Sequence, residues 1–380
     1  MNAPVAEQKK PIGPAAPLTS IPPDLVSVQD YERYARAHID PAVFEYIYGG
    51  GADEISLCRN RRAFDELMIY PRVLRDLTQG STHLRLLQED FRHPILLAPV
   101  AFQKMVHPGG ESALAQAASL LEAGMIVSTL ASEPLEDIAR QTQSPRWFQL
   151  YFQQSRDFTM QLVRRAKLAG YSKLVVTVDA PLHGIRNRAQ RAGFVLPEDV
   201  TAINLNDRPE LPRRVLNPSQ SIVFQGMMSE APTWEDIRWL VEKSEMPVIL
   251  KGILHPQDAV AAKAIGVAGV IVSNHGGRTL DTVPSAMDVI RTVRATVGPG
   301  YPVLLDGGVQ RGTDVFKAIA MGADAVLIGR PQVYALAVAG ALGVAHMLRV
   351  LREELEVAMS LAGTATLADI TPDMLFRGVN

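Results

Sequence analysis

The chain has 380 residues, with 38 Lys plus Arg against 40 Asp plus Glu and a formal charge of -2. That balance leaves no basic footprint for nucleic acid or an anionic membrane surface, and neither is expected as a partner. A single cysteine, Cys58, excludes an internal disulfide and a thiolate zinc cluster and is compatible with a reducing cytoplasm, the compartment expected here.

The elements are read in chain order. Residues 1–25 contain six prolines and no long apolar run, so no secretory signal is expected and the segment reads as a disordered or loosely attached tail. Elsewhere the apolar runs look too short for the ~18–20 residues that span a bilayer. Residues 26–94 form a prefix of helical character, "SVQDYERYARAHIDPAVFEYIYGG". From there on, short apolar runs alternate with segments of helical period. The runs are Pro94–Ala101, Met125–Ala131, Arg146–Phe152, Lys173–Ala180, Pro247–Ile253, Gly269–Gly276, Pro302–Val309 and Ala325–Pro331. Their continuous apolar character suggests parallel strands buried on both faces. Two intervening helices, "GESALAQAASLLEAG" and "RDFTMQLVRRAKLAG", end in a glycine suited to C′. A third starts at Thr233 with acidic residues in its first turn.

Eight such repeats predict an α/β fold, a TIM (β/α)8 barrel with an N-terminal helical prefix and a long loop, about 184–232, after strand 4. Residues 26–380 then make a single domain. A doubly wound open sheet is the alternative, but no GxGxxG follows the first strand. A long, proline-punctuated loop at the active face of a barrel reads as a lid or as disordered chain.

Barrel chemistry sits at the C-terminal strand ends. There the chain places Ala101, Gln103 and Lys104; Ser128 and Thr129; Gln149 and Tyr151; Thr177 and Asp179; Lys251; Ser273, His275 and Arg278; Asp306, Gly307 and Gly308; and Gly329 with Arg330. "LLDGGVQRGTD" and "LIGRP", after strands 7 and 8, put small residues before helix starts, where backbone amides bind an anion such as a phosphate. Lys251 ends an apolar strand and needs an anion: a phosphate, a substrate carboxylate or an anionic cofactor. A Schiff-base role is the other option. Asp179 is placed to orient His275 as a base, and Arg278 follows at a distance suited to a carboxylate. A purely structural His275–Asp179 pair is the bland alternative.

These residues match a known pattern. "SNHGGRTLD", "VFEYIYGGGADE", "APVAFQKMVHPGGE", "FQLY", "TVDAP", "LKGI" and "LDGGVQRGTDVFKAIAMGADAVLIGRP" resemble the FMN-dependent L-2-hydroxy acid oxidases and dehydrogenases, over about residues 30–363. The resemblance implies FMN as cofactor, a 2-hydroxy acid as substrate (lactate-like, mandelate-like or longer), O2 or another acceptor, and a homotetramer or octamer. It implies His275 as base with Asp179 as partner. Arg278, Tyr46 and Arg186 would hold the substrate carboxylate, and Tyr151 would lie near its hydroxyl. Lys251 would face the flavin N1–O2 edge. Ser128, Gln149, Thr177 and Ser273 would surround the ring, with the backbone of Val100 and Ala101 near N5. Asp306, Gly308, Gly329 and Arg330 would hold the phosphate end. Hydride transfer and a carbanion route use the same residues.

Some positions depart from the pattern. Gln310 stands where many relatives have a phosphate-binding arginine, and Tyr48 replaces a small residue. Leu130 stands where glycolate oxidase has tryptophan, which leaves room for a larger substrate group. Ala101 leans toward oxidase rather than dehydrogenase behaviour. An FMN barrel of another class, such as an isomerase without net redox, needs the phosphate end and Lys251 but neither the His-Gly-Gly-Arg stretch nor the paired tyrosines. A non-catalytic binding barrel would be expected to lack some of the polar rim.

Overall fold

In the computed structural model, residues 14–210 and 215–376 are described. All eight predicted strands form: β1 (Ile95–Leu97), β2 (Gly124–Ser128), β3 (Arg146–Leu150), β4 (Leu174–Thr177), β5 (Val248–Ile253), β6 (Gly269–Val272), β7 (Val303–Asp306) and β8 (Ala325–Ile328). They pair in parallel in chain order, and β8 closes on β1. Most ladders stop short of the predicted run. The residues beyond Leu97, Leu150, Thr177 and Val272 are loop, because there the side chains serve the cavity rather than the sheet.

The period-two alternation of a strand sorts the barrel into two shells. Leu96, Ile126, Trp147, Val175, Ile249, Ile271, Leu304 and Leu327 fill the interior. Their neighbours, among them Leu97, Val127, Phe148, Val176, Leu250, Val270, Leu305 and Ile328, pack outward in the larger core shared with the helices.

The prefix is not helical throughout. Helices α1 (Asp30–His38), α2 (Pro41–Tyr48) and α3 (Ile55–Asp65) are followed by a hairpin, Leu84–Leu86 against Glu89–Phe91. Its two turn residues, Leu87 and Gln88, both have positive φ (50° and 67°), the twist a two-residue hairpin requires. Neither is Gly or Asn, so the usual turn signal is missing from the sequence. Leu86 and Phe91 close the N-terminal end of the barrel, with Phe91 edge-on to Trp147 at 6.1 Å. Gly124 belongs to this packing: a Cβ there would lie 2.6 Å from Phe91 Cε1. It therefore opens β2 and, contrary to the expectation from sequence, does not cap the preceding helix, whereas Gly170 (φ 84°) does follow its helix as predicted.

The outer helices are α4 (Gly110–Leu120), α5 (Leu135–Arg140), α6 (Arg156–Leu168), α7 (Asn187–Arg191), α8 (Trp234–Lys243), α9 (Pro256–Ala264), α10 (Ala286–Val297), α11 (Gly312–Ala320) and α12 (Arg330–Ala362). Thr233 caps α8 in a reciprocal box with Asp236. Contrary to expectation, α12 is long and apolar enough to cross a bilayer by length and composition, but 72% of its apolar window is buried within this fold. It kinks at Ala339–Gly340, and Val338 O accepts from Leu18 N at 2.7 Å. Of the tail expected at 1–25, residues 1–13 lie outside the described residues. From residue 14 the chain lies on α1 and α12 through Ala15 N to Ala37 O (2.8 Å) and buried Leu25, so it is not loose there. The first half of the long loop is likewise anchored: Asn204 accepts from Leu135 N (3.1 Å) and donates to Glu133 O (2.9 Å). Residues 211–214 of that loop fall outside the described residues.

Candidate active site

The same alternation that fills the interior builds the rim. Two residues beyond Ile126, Trp147, Val175, Ile249, Ile271, Leu304 and Leu327 stand Ser128, Gln149, Thr177, Lys251, Ser273, Asp306 and Gly329. They are the next inward positions, where the barrel gives way to a cavity of about 1510 Å3. Ser128, Thr177, Lys251, Asp306 and Gly329 line the cavity, while Gln149 and Ser273 are buried just behind it.

Lys251 Nζ sits 2.9 Å from Asp306 Oδ2 and donates to Ser273 Oγ at 3.0 Å. Burial works to neutralise it, but Asp306, with Asp179, holds its pKa above the ordinary lysine value. It is therefore a fixed cation in the cavity wall. A Schiff-base role needs a neutral amine and does not fit this pairing. Ser128 Oγ donates to Gln149 Oε1 at 3.0 Å, which leaves Gln149 Nε2 buried without a partner. Asp306 Oδ1 is also unpartnered.

His275 Nδ1 lies 2.9 Å from Asp179 Oδ1. An ionised carboxylate can only accept, so the bond holds a proton on Nδ1 and makes Nε2 the nitrogen that can act as a base. Burial works to raise the Asp179 pKa. The His275 charge and hydrogen bond outweigh it and, with Lys251, hold the carboxyl below its usual 3.8. His275 itself has φ 59°, an uncommon left-handed conformation for a residue with a side chain. Tyr151, on the cavity wall, is pushed up to about 12 by burial, with Lys251 opposing and Asp179 adding to the shift. It stays a hydrogen-bond donor at any working pH.

The same cavity holds three guanidinium groups. Arg186, Arg278 and Arg330 line the cavity, and among the described residues none has a carboxylate within ion-pair distance. Arg186 and Arg278 each lie 5.2 Å from the centre of the Tyr46 ring. Burial, followed by repulsion from Arg186 and Arg330, pushes Arg278 down to about 9. An uncompensated buried cation of this kind is an anion site waiting for its ligand.

Arg330, next to Arg278, is committed to backbone. Arg330 donates from Nε to Ile47 O (3.0 Å) and Tyr48 O (3.1 Å), from Nη1 to Gly276 O (3.0 Å) and from Nη2 to Gly49 O (3.1 Å). Its guanidinium thus ties the C-terminal end of α2 to the histidine loop. Gln310 accepts from Gln29 Nε2 at 3.0 Å. A Cβ on Gly329 would meet nothing within 4 Å, so this side of the cradle is open.

FMN fits this donor set. Gln149 Nε2 would donate to a polar edge of the flavin ring, and Lys251 would place a fixed cation beside it. Asp306 Oδ1 can accept from a ribityl hydroxyl. Gly308, Gly329 and the N-terminus of α12 offer backbone to a phosphate. Val100, Ala101 and Leu130 complete the wall. No group of three or more His, Cys, Asp or Glu among the described residues could hold a metal ion.

Sequence reasoning missed the supports. Asp281, the last residue of "SNHGGRTLD", accepts from Ser56 N (2.8 Å), Asp53 N (3.1 Å) and Ile55 N (3.3 Å). It satisfies the start of α3. Arg188 bridges Glu54 (2.6 Å) and Glu45 (3.0 Å) two residues after Arg186. Asn60 pairs with Asn274. The prefix helices therefore hold up the site, which strand-end reading alone cannot reveal.

Comparison with known proteins agrees with this geometry. Residues 35–377 match the family model of FMN-dependent dehydrogenases. The chain is 48% identical over 360 residues to an L-lactate oxidase of Alicycliphilus denitrificans, covering 95% of this chain and 99% of that protein. It is 40% identical over 350 residues to glycolate oxidase 1 of Oryza sativa subsp. indica, covering 92% and 95%. The crystal structure of mandelate oxidase with benzoyl-formic acid superposes with a TM-score of 0.84 at 39% identity, covering 92% of this chain and 98% of that one. The chain therefore belongs to the FMN-dependent dehydrogenase family, as a TIM-barrel flavoprotein that oxidises 2-hydroxy acids.

Proposed function

We propose that this protein is an oxidase of short L-2-hydroxy acids of the lactate class, returning a 2-oxo acid and passing the electrons to dioxygen to give H2O2. The observation that carries the reading is one cavity in which the His275–Asp179 pair faces the uncompensated Arg186 and Arg278. A substrate with a carboxylate on one carbon and a hydroxyl on the next suits a cavity that holds both an anion site and a base. Arg278, Arg186 and Tyr46 bind the carboxylate. Tyr151 donates to the hydroxyl oxygen, and His275 Nε2 takes the hydroxyl proton. Asp179 holds the imidazole and stabilises the imidazolium that results. FMN, when bound, supplies the two-electron acceptor. Lys251 keeps a positive charge fixed beside the cavity, where a ring gaining electrons benefits from it.

The names of the most similar relatives support lactate as substrate and O2 as acceptor. Ala101 in the cavity wall agrees with oxidase behaviour, and Leu130 sets the side-chain room. The reading includes one FMN-binding domain over residues 26–380 and a cytoplasmic homotetramer or octamer. Ile222, Phe224 and Met227, exposed on the long loop, are available to an assembly.

The test is direct. Purified protein should be yellow, and anaerobic L-lactate should bleach it faster than L-mandelate or D-lactate, with H2O2 formed under air. Flavin that stays oxidised with every L-2-hydroxy acid in such a panel sinks the reading. Bleaching without peroxide moves it to a dehydrogenase. Light scattering gives the assembly.

A further inference from the structure

Two asparagines outside the roles above meet between the barrel rim and α3. Asn274 Nδ2 donates to Asn60 Oδ1 at 2.8 Å, and Asn60 Nδ2 donates back to Asn274 Oδ1 at 2.9 Å. Asn274 Oδ1 also accepts from Gly277 N (3.0 Å), and its Nδ2 also donates to Pro284 O (3.2 Å). A primary amide offers two donors and two acceptor sites, and all four of Asn274 are used. Both side chains are 2% exposed, so each missing partner would leave a buried polar atom. Asn274 immediately precedes His275, whose left-handed φ of 59° needs outside support.

Asn60 also touches the neighbouring loop. A Cβ on Gly308 would lie 2.4 Å from Asn60 O, and one on Gly307 would lie 3.3 Å from Asn60 Nδ2. One α3 residue thus backs both the histidine loop after β6 and the Gly307–Gly308 turn after β7. We propose that the Asn60–Asn274 pair is a positioning device that sets His275 against its substrate and registers the histidine loop with the cofactor's phosphate turn. The inference rests on the reading of His275 as base.

The test exploits the chemistry of the pair. A protonated carboxylic acid presents one donor and one acceptor in the same places as the amide, whereas a carboxylate presents acceptors only. In Asn60→Asp the ionised form therefore opposes Asn274 Oδ1 and the neutral form restores the pair. Burial raises the pKa of such an acid, which puts recovery at about pH 5–6.

Asn60→Ala should lower kcat at least about tenfold at every pH with less than about a threefold change in KM, as expected for two lost buried hydrogen bonds acting through a base. Its FMN dissociation constant, from quenching of free FMN fluorescence, should rise at least about threefold. The ratio of Asn60→Asp to wild-type kcat should be as low as that of Asn60→Ala at about pH 8 and climb toward one as the pH falls to about 5.5. A ratio that stays flat with pH, or Asn60→Ala within about twofold of wild type, overturns the proposal. If Asn60→Ala fails to hold FMN at all, Asn60→Asp at low pH still decides. Wild-type protein that binds no FMN or oxidises no 2-hydroxy acid is a failure of the functional reading instead, seen before any variant is made.

Discussion

The two ends of the barrel are made from the same strands and differ in one respect. At the N-terminal end the polar groups around the plug are paired, and the buried atoms without a partner, His93 Nε2 and Arg146 Nε, face no cavity. Trp147 Nε1 donates to Glu89 Oε2 at 2.8 Å, Lys173 sits 3.6 Å from Glu89, and Leu86 and Phe91 exclude water. At the C-terminal end Gln149 Nε2, Asp179 Oδ2 and Asp306 Oδ1 are buried and unpartnered, and three arginines have no carboxylate. The closed end is built for stability. The open end carries unmet electrostatic demand, which a ligand answers.

Breaking either end should leave the other intact. The largest effect is expected at the rim. His275→Gln should slow flavin bleaching by about 10²–10⁴-fold while FMN stays bound and the melting temperature barely moves. Near wild-type bleaching would remove His275 as the base.

At the closed end, Phe91→Ala should cost about 3–5 kcal/mol of stability by emptying the plug, with kcat per folded molecule unchanged. A matching loss of kcat would show that the plug also tunes the rim.

Arg278→Leu should lower kcat/KM by about 10- to 150-fold, the value of one charge-assisted contact. It should not lower stability. The carbonyls that Arg278 Nη1 reaches, Ile47 O and Gly49 O, keep their bonds from Arg330, and an uncompensated buried charge is gone. A clear fall in melting temperature would contradict the contrast between the two ends.

Asp179→Asn sharpens the comparison through pH. The wild-type carboxyl lies below 3.8, so its stabilisation is present above the unfolded value and is lost as pH falls through the folded one. The stability gap between the two proteins should be constant from about pH 5 to 7 and close below about pH 4. A gap that instead widens in acid would mean that the buried carboxyl is held protonated.

The smallest effect is expected for Arg188→Ala, which loosens the loop start beside Arg186. KM should rise severalfold, roughly the worth of a partly exposed ion pair, with kcat nearly unchanged. Equal losses in kcat and kcat/KM would place Arg188 in the chemistry itself.

Much of this was legible in the residues. Eight apolar runs gave the barrel, and their inward-facing C-terminal residues gave the rim, because a strand's period of two carries a polar residue from core to cavity in one step. Arg330 shows the limit. Its place after the eighth strand is readable, yet its nitrogens serve the carbonyls of α2, a segment more than two hundred residues away in sequence. The hairpin that plugs the barrel was hidden for a local reason, since Leu87 and Gln88 take positive φ without the residues that announce it.

What the sequence alone determined is whatever depends on periodicity within one strand: the parallel barrel, the order of its elements, and which side chains face the cavity. Tertiary structure decided whatever depends on a partner distant in the chain. Such partners are the carbonyls on Arg330, the amides of Asp53, Ile55 and Ser56 on Asp281, and the asparagine beneath the catalytic loop. Periodicity is a property of neighbours along the chain, whereas the satisfaction of a buried polar group is settled by whatever the closed barrel brings beside it.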